Sequence, residues 1–391
     1  MISVEEATAR LLSLVAPLGS EEAPLRRAAG RVLARAVAAR HAQPPFPASA
    51  MDGYALRGPA PQVGASFRLV GTSAAGHPFA GALRDGEAVR ILTGAAIPEG
   101  AERVVIQEDV EAGGDAIRVA RPPGGETHVR PAGGDFAEGF ALPAGTRLGS
   151  RQIALLAAMG HGVVPVVRRP VVAIVMTGDE LRAPGEPLGP GQVAASNGYG
   201  LAAMLEGAGA EARVLPVARD DPADLGAVLR LCDGADLIVT IGGASVGDHD
   251  IVARTAGTAG LETAFHTVAM RPGKPLLAGR LGAAALIGLP GNPVSAMVCG
   301  VVFVLPMLRA MLGLDPTVPT RGLPLGAAVA ANGPRAHYMR AAEIEGGCVP
   351  AARQDSSLLS VLARADLLLL RPPHAPALEA GAVVPVIDLP A

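Results

Sequence analysis

Residues 171–181 read Val-Val-Ala-Ile-Val-Met-Thr-Gly-Asp-Glu-Leu, six apolar residues that break at once into a glycine-bearing turn with two acids. An apolar run of this length without alternation predicts a strand buried on both faces. The pattern repeats downstream. A helix over 197–208 leads to a strand at 212–217 that ends in Arg-Asp-Asp-Pro (219–222). A helix over 222–232 then leads to the strand 237–241, which ends in Gly-Gly-Ala-Ser-Val-Gly-Asp-His-Asp (242–250). Apolar strands alternating with helices imply a parallel sheet covered on both sides.

Outward from this centre the register changes. Residues 3–16 predict a helix with an apolar stripe, opened by a capping box of Ser3 and Glu6. From about 44 to 131 short apolar runs (67–70, 88–92, 104–107, 117–119) alternate with Gly/Pro turns, which predicts a small all-β module. Ser150 is placed to cap a helix over 152–159. A helix on either side of the module suggests an insertion into a first domain. Beyond 318, runs such as 367–370 and 383–387 predict a second β domain. The expected fold class is therefore multidomain α/β. It divides into an N-terminal mixed domain (1–46 and 132–169), an inserted β module (47–131), a central parallel-sheet domain (170–316) and a C-terminal β domain (317–391).

Fifty glycines and 35 prolines in 391 residues exclude a helical bundle, and their scatter excludes collagen-like or low-complexity sequence. The formal net charge is −3 with acids and arginines interspersed, not the basic stripe of a nucleic-acid binder. The N-terminal segment carries acids where a secretory signal carries basic residues, and the three cysteines (Cys232, Cys299, Cys348) form no CxxC. The run 294–308, interrupted by Pro306, is shorter than a membrane span and reads as a core helix. A soluble cytoplasmic protein is expected, with no nucleic-acid or membrane partner.

Ligands of open α/β sheets bind at the carboxyl ends of the strands. Here three successive strands end in acids: Asp179 and Glu180, Asp220 and Asp221, Asp248 and Asp250. Carboxylates clustered at a phosphate site repel the substrate unless a hard cation such as Mg²⁺ intervenes. Opposite charge comes from Met-Arg-Pro-Gly-Lys-Pro (270–275), which holds the one lysine of the chain, Lys274; the other 32 of 33 basic residues are arginines. Where a composition replaces lysine so thoroughly, a surviving lysine points to a place where a compact ammonium is needed. One of only three asparagines, Asn292, lies in Leu-Pro-Gly-Asn-Pro-Val-Ser (289–295), where Pro293 suits the first position of a helix whose free N–H groups can face an oxyanion. His249 reads as an exposed helix-start residue. The β module contributes three polar turns, around Asp52, Thr93 and Asp135.

Taken together, SAMDGYA (49–55), RILTGAAIPEG (90–100), GGD (133–135), TGDEL (177–181), RDDP (219–222), IGGASVGDHD (241–250), RPGKP (271–275), LPGNPVSA (289–296) and SSLLSVLARAD (356–366) resemble the MoeA/gephyrin family of molybdopterin molybdenumtransferases. The resemblance spans nearly the whole chain. It implies a central domain similar to molybdopterin adenylyltransferase, and a homodimer whose cleft lies between this domain and the β module of the other subunit. It also implies insertion of molybdate into adenylylated molybdopterin with release of AMP, and contact with molybdopterin adenylyltransferase and other proteins of cofactor biosynthesis. On the matching positions, Glu180, Asp220 and Asp250 take the metal-and-phosphate role with Mg²⁺ or another divalent ion, and Lys274 joins them in catalysis. Gly243, Ser245, Arg271, Pro290, Asn292, Pro293 and Ser295 shape the anion and pterin site. Asp52, Thr93 and Asp135 are contributed across the dimer. The chain departs from the family pattern at Ala48, Gly134, Ala195, Thr267 and Arg271, none of them an acid of the three-strand cluster. A nucleotide pyrophosphatase of the CinA type is the rival enzyme reading, but it leaves SAMDGYA and the β module unexplained. A non-catalytic pterin-binding scaffold is the rival from another class.

Overall fold

The computed structural model describes residues 1–243 and 251–390. Ser245, Asp248, His249 and Asp250 therefore lie outside the described residues. The chain forms two compact units: Met1–Glu21, Gly30–Ala34 and Val166–Ala391 make the larger, and Glu22–Ala29 and Arg35–Pro165 the smaller.

The first helix, α1 (Val4–Leu12), is shorter than the stripe suggested. Ser3 Oγ accepts the Glu6 N–H at 3.1 Å, as a cap should. The Glu6 carboxylate does not return to the cap; it pairs with Arg10 one turn on, at 2.6 Å. Val4, Ala7 and Leu11 are buried in the core of the larger unit, so this helix packs with the α/β elements.

In the smaller unit a six-stranded sheet is built from β1 (Gly53–Leu56), β2 (Ser66–Ser73), β3 (Glu87–Ile91), β4 (Arg103–Ile106), β5 (Val110–Gly113) and β6 (Ala116–Val119), in the order β4-β1-β3-β2-β6-β5. Side chains alternate across it. Tyr54, Leu56, Ala88, Val105 and Ile117 form one core, while Ala55, Val89, Ile91 and Val104 belong to another. The short β1 follows SAMD directly, where the sequence predicts only a turn around Asp52. The helix α2 (Ser150–Ala158) is capped differently from expectation. Gly149 is its N-cap, and Gln152 Oε1 accepts the Gly149 N–H at 3.2 Å, so Ser150 is the first helical residue.

The larger unit contains the expected sheet. Its elements run β7 (Val171–Met176), α3 (Asn197–Gly207), β8 (Glu211–Val214), α4 (Pro222–Arg230), β9 (Leu237–Ile241), α5 (Ile251–Thr258), β10 (Glu262–Thr267), β11 (Met270–Arg271), β12 (Pro275–Leu281), β13 (Ala284–Leu289) and α6 (Pro293–Met311). The strand order is β8-β7-β9-β13-β12-β10. The first four strands are parallel; a two-residue turn makes β12 and β13 an antiparallel hairpin, and β10 pairs antiparallel with β12 at the edge, so that only β12 runs against the others. Helix α6 has the length and composition of a membrane span, yet 78% of its most apolar window is buried in the protein, the pattern of a core helix. It runs past the 294–308 limits of the apolar stretch. A π turn over Gly300–Val304 precedes Pro306, whose ring and missing N–H do not fit an unbroken α ladder.

The C-terminal sheet uses β14 (Arg321–Pro324), β15 (Ala336–Ile344), β16 (Gly347–Pro350), β17 (Leu367–Arg371) and β18 (Val383–Asp388). Its edge is completed by β11, which pairs in parallel with Ala336 and His337. Residues 270–271 and 336–337 are thereby locked side by side. Ala336, Tyr338, Leu368 and Ile387 join the core of the α/β sheet, so the C-terminal sheet is packed into the larger unit.

Candidate functional site

Strand β7 delivers Thr177, Gly178, Asp179 and Glu180 to the sheet's carboxyl edge. Thr177 Oγ1 donates to Asp220 Oδ1 at 2.9 Å, and the Asp220 N–H donates to Asp179 Oδ1 at 3.2 Å. The Ala218 N–H bonds Met176 O at 2.8 Å, which keeps the end of the second strand against the first. Asp221 serves as helix cap, accepting the N–H groups of Ala223 and Asp224 at 2.9 and 3.0 Å. Glu180 is left exposed, and its carboxylate makes no hydrogen bond or ion pair among the described residues. The third strand end must be glycine for a plain reason. A Cβ on Gly242, which has a φ of +91°, would lie 2.4 Å from Thr177 O.

These residues border a cavity of about 870 Å³ in the larger unit. Glu180, Asp220 and Gly243 line its acidic side. Arg271 at the end of β11 and Lys274 in the loop after it face the cavity, as do Pro290 and Asn292 just before α6 and Pro293 and Ser295 in its first turn. Lys274 is exposed, and its ammonium has no partner among the described residues. Below this loop, Gly273 (φ +109°) lies so close to α6 that a Cβ there would sit 2.5 Å from Cys299 Sγ. The three cysteines are all free and buried, and burial pushes the Cys232 thiol up to about 11.

The helix start offers less than its sequence suggested. Pro293 has no N–H, and the N–H of Val294 is taken by Ser356 O at 3.1 Å. That bond brings in a wall that the reading of the sequence did not assign. Arg335, just before β15, and Gln354, Asp355, Ser356 and Ser357, between β16 and β17, complete the cavity. Ser356 and Ser357 sit in a motif already singled out, but without a role; Arg335 carried no signal at all. Asparagine scarcity was a usable clue. Asn197, also on the cavity wall, donates to Gly291 O at 2.7 Å, and Asn332 donates to Arg335 O at 2.9 Å, so all three asparagines line or brace this site.

His337 lies beside the cationic loop. Burial, followed by the charges of Arg271, Arg340, Arg335 and Arg371, pushes its imidazole down to about 4. It is a neutral ring at neutral pH.

In the smaller unit Asp52 and Thr93 do come together. Asp52 Oδ1 accepts both the Thr93 N–H at 2.7 Å and its hydroxyl at 2.8 Å, which holds the carboxyl below its ordinary range, with a smaller contribution from Arg90. Asp135 borders a different hollow of about 640 Å³ with Gln43, Pro44, Phe46 and Arg130, its N–H bonded to Gln43 O at 2.9 Å.

A hard cation is compatible with this donor set. Glu180 and Asp220 offer carboxylate oxygens on one cavity wall, and Mg²⁺ is commonly held by one or two carboxylates with the rest supplied by water and phosphate. No group of three acidic, His or Cys side chains arranged for a metal occurs among the described residues. The third expected ligand, Asp250, is outside them.

Fold and site together define a class: a multidomain protein built round a domain that matches the description "probable molybdopterin binding domain" over residues 173–310. On either side, residues 2–160 match the MoeA N-terminal region (domain I and II) and residues 323–389 the MoeA C-terminal region (domain IV). The chain belongs to the MoeA family. It is 36% identical over 381 residues to molybdopterin molybdenumtransferase 2 of Mycobacterium tuberculosis, covering 94% of each chain. It is also 36% identical over 328 residues to molybdopterin molybdenumtransferase of Nostoc sp., covering 80% of this chain and 75% of that one. Among solved structures it is similar to two of the molybdopterin biosynthesis MoeA protein of Pyrococcus horikoshii. Their TM-scores are 0.86 and 0.78 at 30% and 26% identity, covering 100% and 99% of this chain and 100% of each of theirs. The pyrophosphatase reading leaves residues 2–160 and 323–389 without explanation.

Proposed function

We propose that the chain is a molybdopterin molybdenumtransferase, inserting molybdate into adenylylated molybdopterin with release of AMP. The observation that carries this is the charge layout of the 870 Å³ cavity: Glu180 and Asp220 on one side, Lys274, Arg271 and Arg335 on another. A substrate with a phosphoanhydride at one end and a metal-accepting dithiolene at the other, together with a tetrahedral oxyanion, suits such a divided site. Lys274, Arg335 and the Ser356 hydroxyl suit molybdate, because an ammonium and a guanidinium give short charge-assisted hydrogen bonds to oxyanions. Pro290, Asn292, Pro293 and Ser295 suit the pterin and its phosphate, together with Gly243 after the third strand and, by its place in the sequence motif, Ser245.

Glu180, Asp220 and Asp250 would hold a divalent ion, Mg²⁺ by the hardness of its donors. When bound, that ion polarises the phosphoanhydride and neutralises charge on the phosphates. The chain's own residues orient the two anions and separate them from the carboxylates. Asp52, Thr93 and Asp135 belong in this reading to a homodimer, in which one subunit's β module completes the other's cleft. The four-part division at 46/47, 131/132, 169/170 and 316/317, a cytoplasmic location and a hand-over from molybdopterin adenylyltransferase complete the proposal.

The test is direct. Purified protein should release AMP from adenylylated molybdopterin only when molybdate is present, and only with a divalent ion. AMP release at the same rate without molybdate would mean a simple pyrophosphatase and would overturn the assignment.

A further inference from the structure

Arg340 is a large side chain with no exposed surface, and no carboxylate pairs with it at salt-bridge distance among the described residues. Burying a guanidinium without an acid is costly unless its donors are spent on fixed acceptors. Here only Nη2 is spent in this way, on carbonyls of a single turn: it donates to Asp355 O at 2.9 Å and to Arg353 O at 3.4 Å, while Nε and Nη1 are buried with no hydrogen-bond partner among the described residues. Between those two residues, the Gln354 amide closes the same turn from the other side. Its Oε1 accepts the Arg340 N–H at 3.0 Å, and its Nε2 donates to Arg340 O at 2.9 Å and Ala351 O at 2.8 Å.

The turn gripped in this way runs straight into the cavity wall. Asp355 Oδ1 accepts the Ser357 N–H and hydroxyl at 2.8 and 2.7 Å, and Ser356 O accepts the Val294 N–H at the start of α6. At its other end, the strand that carries Arg340 begins beside Arg335 and pairs with β11 at Arg271. One strand therefore sets three parts of the cationic wall: Arg271 by register, Arg335 at its entry, and the 353–357 turn through Arg340.

We propose that Arg340 and Gln354 are positioning residues that hold the 353–357 turn against α6, and thereby set the affinity of the cavity for its oxyanion. Neither has to touch the oxyanion for this role. The inference rests on the reading of this cavity as the molybdate site. Misplacing a turn by about an ångström is enough to cost an ordered site one to two powers of ten.

The experiment uses the full-length protein and compares the molybdate dependence of AMP release in Gln354→Ala, Arg340→Lys, Lys274→Ala and Arg321→Ala. The last breaks a surface network with Glu343 and Asp388 in the same C-terminal sheet and serves as a control for loss of stability alone. Gln354→Ala should raise the molybdate KM roughly tenfold with kcat changed less than about twofold. Arg340→Lys should do the same, since the shorter lysine stem does not carry its ammonium to the place where Nη2 meets the Asp355 and Arg353 carbonyls. Arg321→Ala should lower the melting temperature without moving KM. If Arg340→Lys does not fold, the Gln354→Ala result decides. A wild-type KM in folded Gln354→Ala, beside a raised KM in Lys274→Ala, overturns the positioning role alone. A KM unmoved in Lys274→Ala overturns the molybdate-site reading and this inference with it.

Discussion

The two polar corners of the molecule differ in what their acids have already done. In the smaller unit Asp52 is committed: Thr93 gives it two hydrogen bonds, and its proton affinity has fallen accordingly. In the larger unit Glu180 faces the cavity with no partner among the described residues, and so does Lys274. An exposed, unpaired charge costs little in water and gains charge-assisted bonds when a ligand of opposite sign arrives. A carboxylate already holding a backbone N–H and a hydroxyl has less left to offer. On the function proposed above, the contrast separates a corner with charge left for a ligand from one whose charge is already spent on holding its own shape.

If that contrast is right, Glu180→Gln should produce the largest effect. Turnover should fall at least about a hundredfold, with the melting temperature unchanged, because a neutral amide cannot serve a cation and the residue lies outside the core. Full turnover at limiting Mg²⁺ would break the comparison at its strongest point. Lys274→Arg sharpens it, since charge is kept and only shape and hydration change. A loss of about 1.5–3 kcal/mol, roughly ten- to a hundredfold in turnover at subsaturating molybdate, is expected. Wild-type turnover would mean that the solitary lysine has no special task.

Backing is tested at Gly273→Ala. The new Cβ would meet Cys299 Sγ at 2.5 Å and Met270 Sδ at 3.2 Å, at a φ of +109°. Overpacking and strain should cost about 1–3 kcal/mol in unfolding free energy, read from urea denaturation, and displace the Lys274 loop. At the committed corner, Asp52→Ala should leave the melting temperature within a few degrees of wild type while removing activity. Mixed with inactive Asp250→Ala, it should recover part of that activity in verified heterodimers, if each cleft draws on both subunits. No recovery would confine each site to one chain.

The smallest effect concerns His337. Its imidazole titrates near 4 in the fold against about 6.5 when unfolded. Between those values the unfolded chain binds more protons, so stability rises with pH and is lost as pH falls from about 6.5 towards 4. His337→Gln should therefore flatten the drop in melting temperature between pH 7 and pH 5. An identical acid limb in wild type and variant would remove the histidine from the account.

Much of the fold was written in local patterns. Strands 171–176 and 237–241 were readable because residues buried on both faces must be apolar without a break, and α4 because Asp221 and Pro222 are a cap and a first turn in succession. Strand β1 was hidden inside Met-Asp-Gly-Tyr-Ala-Leu, since four residues are too few to reveal a period. The antiparallel edge of the sheet was missed because β10 (Glu-Thr-Ala-Phe-His-Thr) is a largely polar edge strand and β12 carries Pro275 and Arg280, so neither repeats the unbroken apolar run of the parallel strands.

The same division runs through the site. Glu180, Asp220, Lys274 and Asn292 were identified in one dimension, because strand-end acids, a solitary lysine and a Pro-Gly-Asn-Pro turn are local chemical signatures. Arg335, Gln354 and the backbone of Ser356 entered only in three dimensions. Residues 270–271 pair with 336–337, and Val294 is capped by a carbonyl 62 positions later. No local propensity encodes such contacts: a carbonyl has no residue type, and an arginine 64 positions beyond Arg271 has nothing in its own surroundings to say which strand will lie beside it.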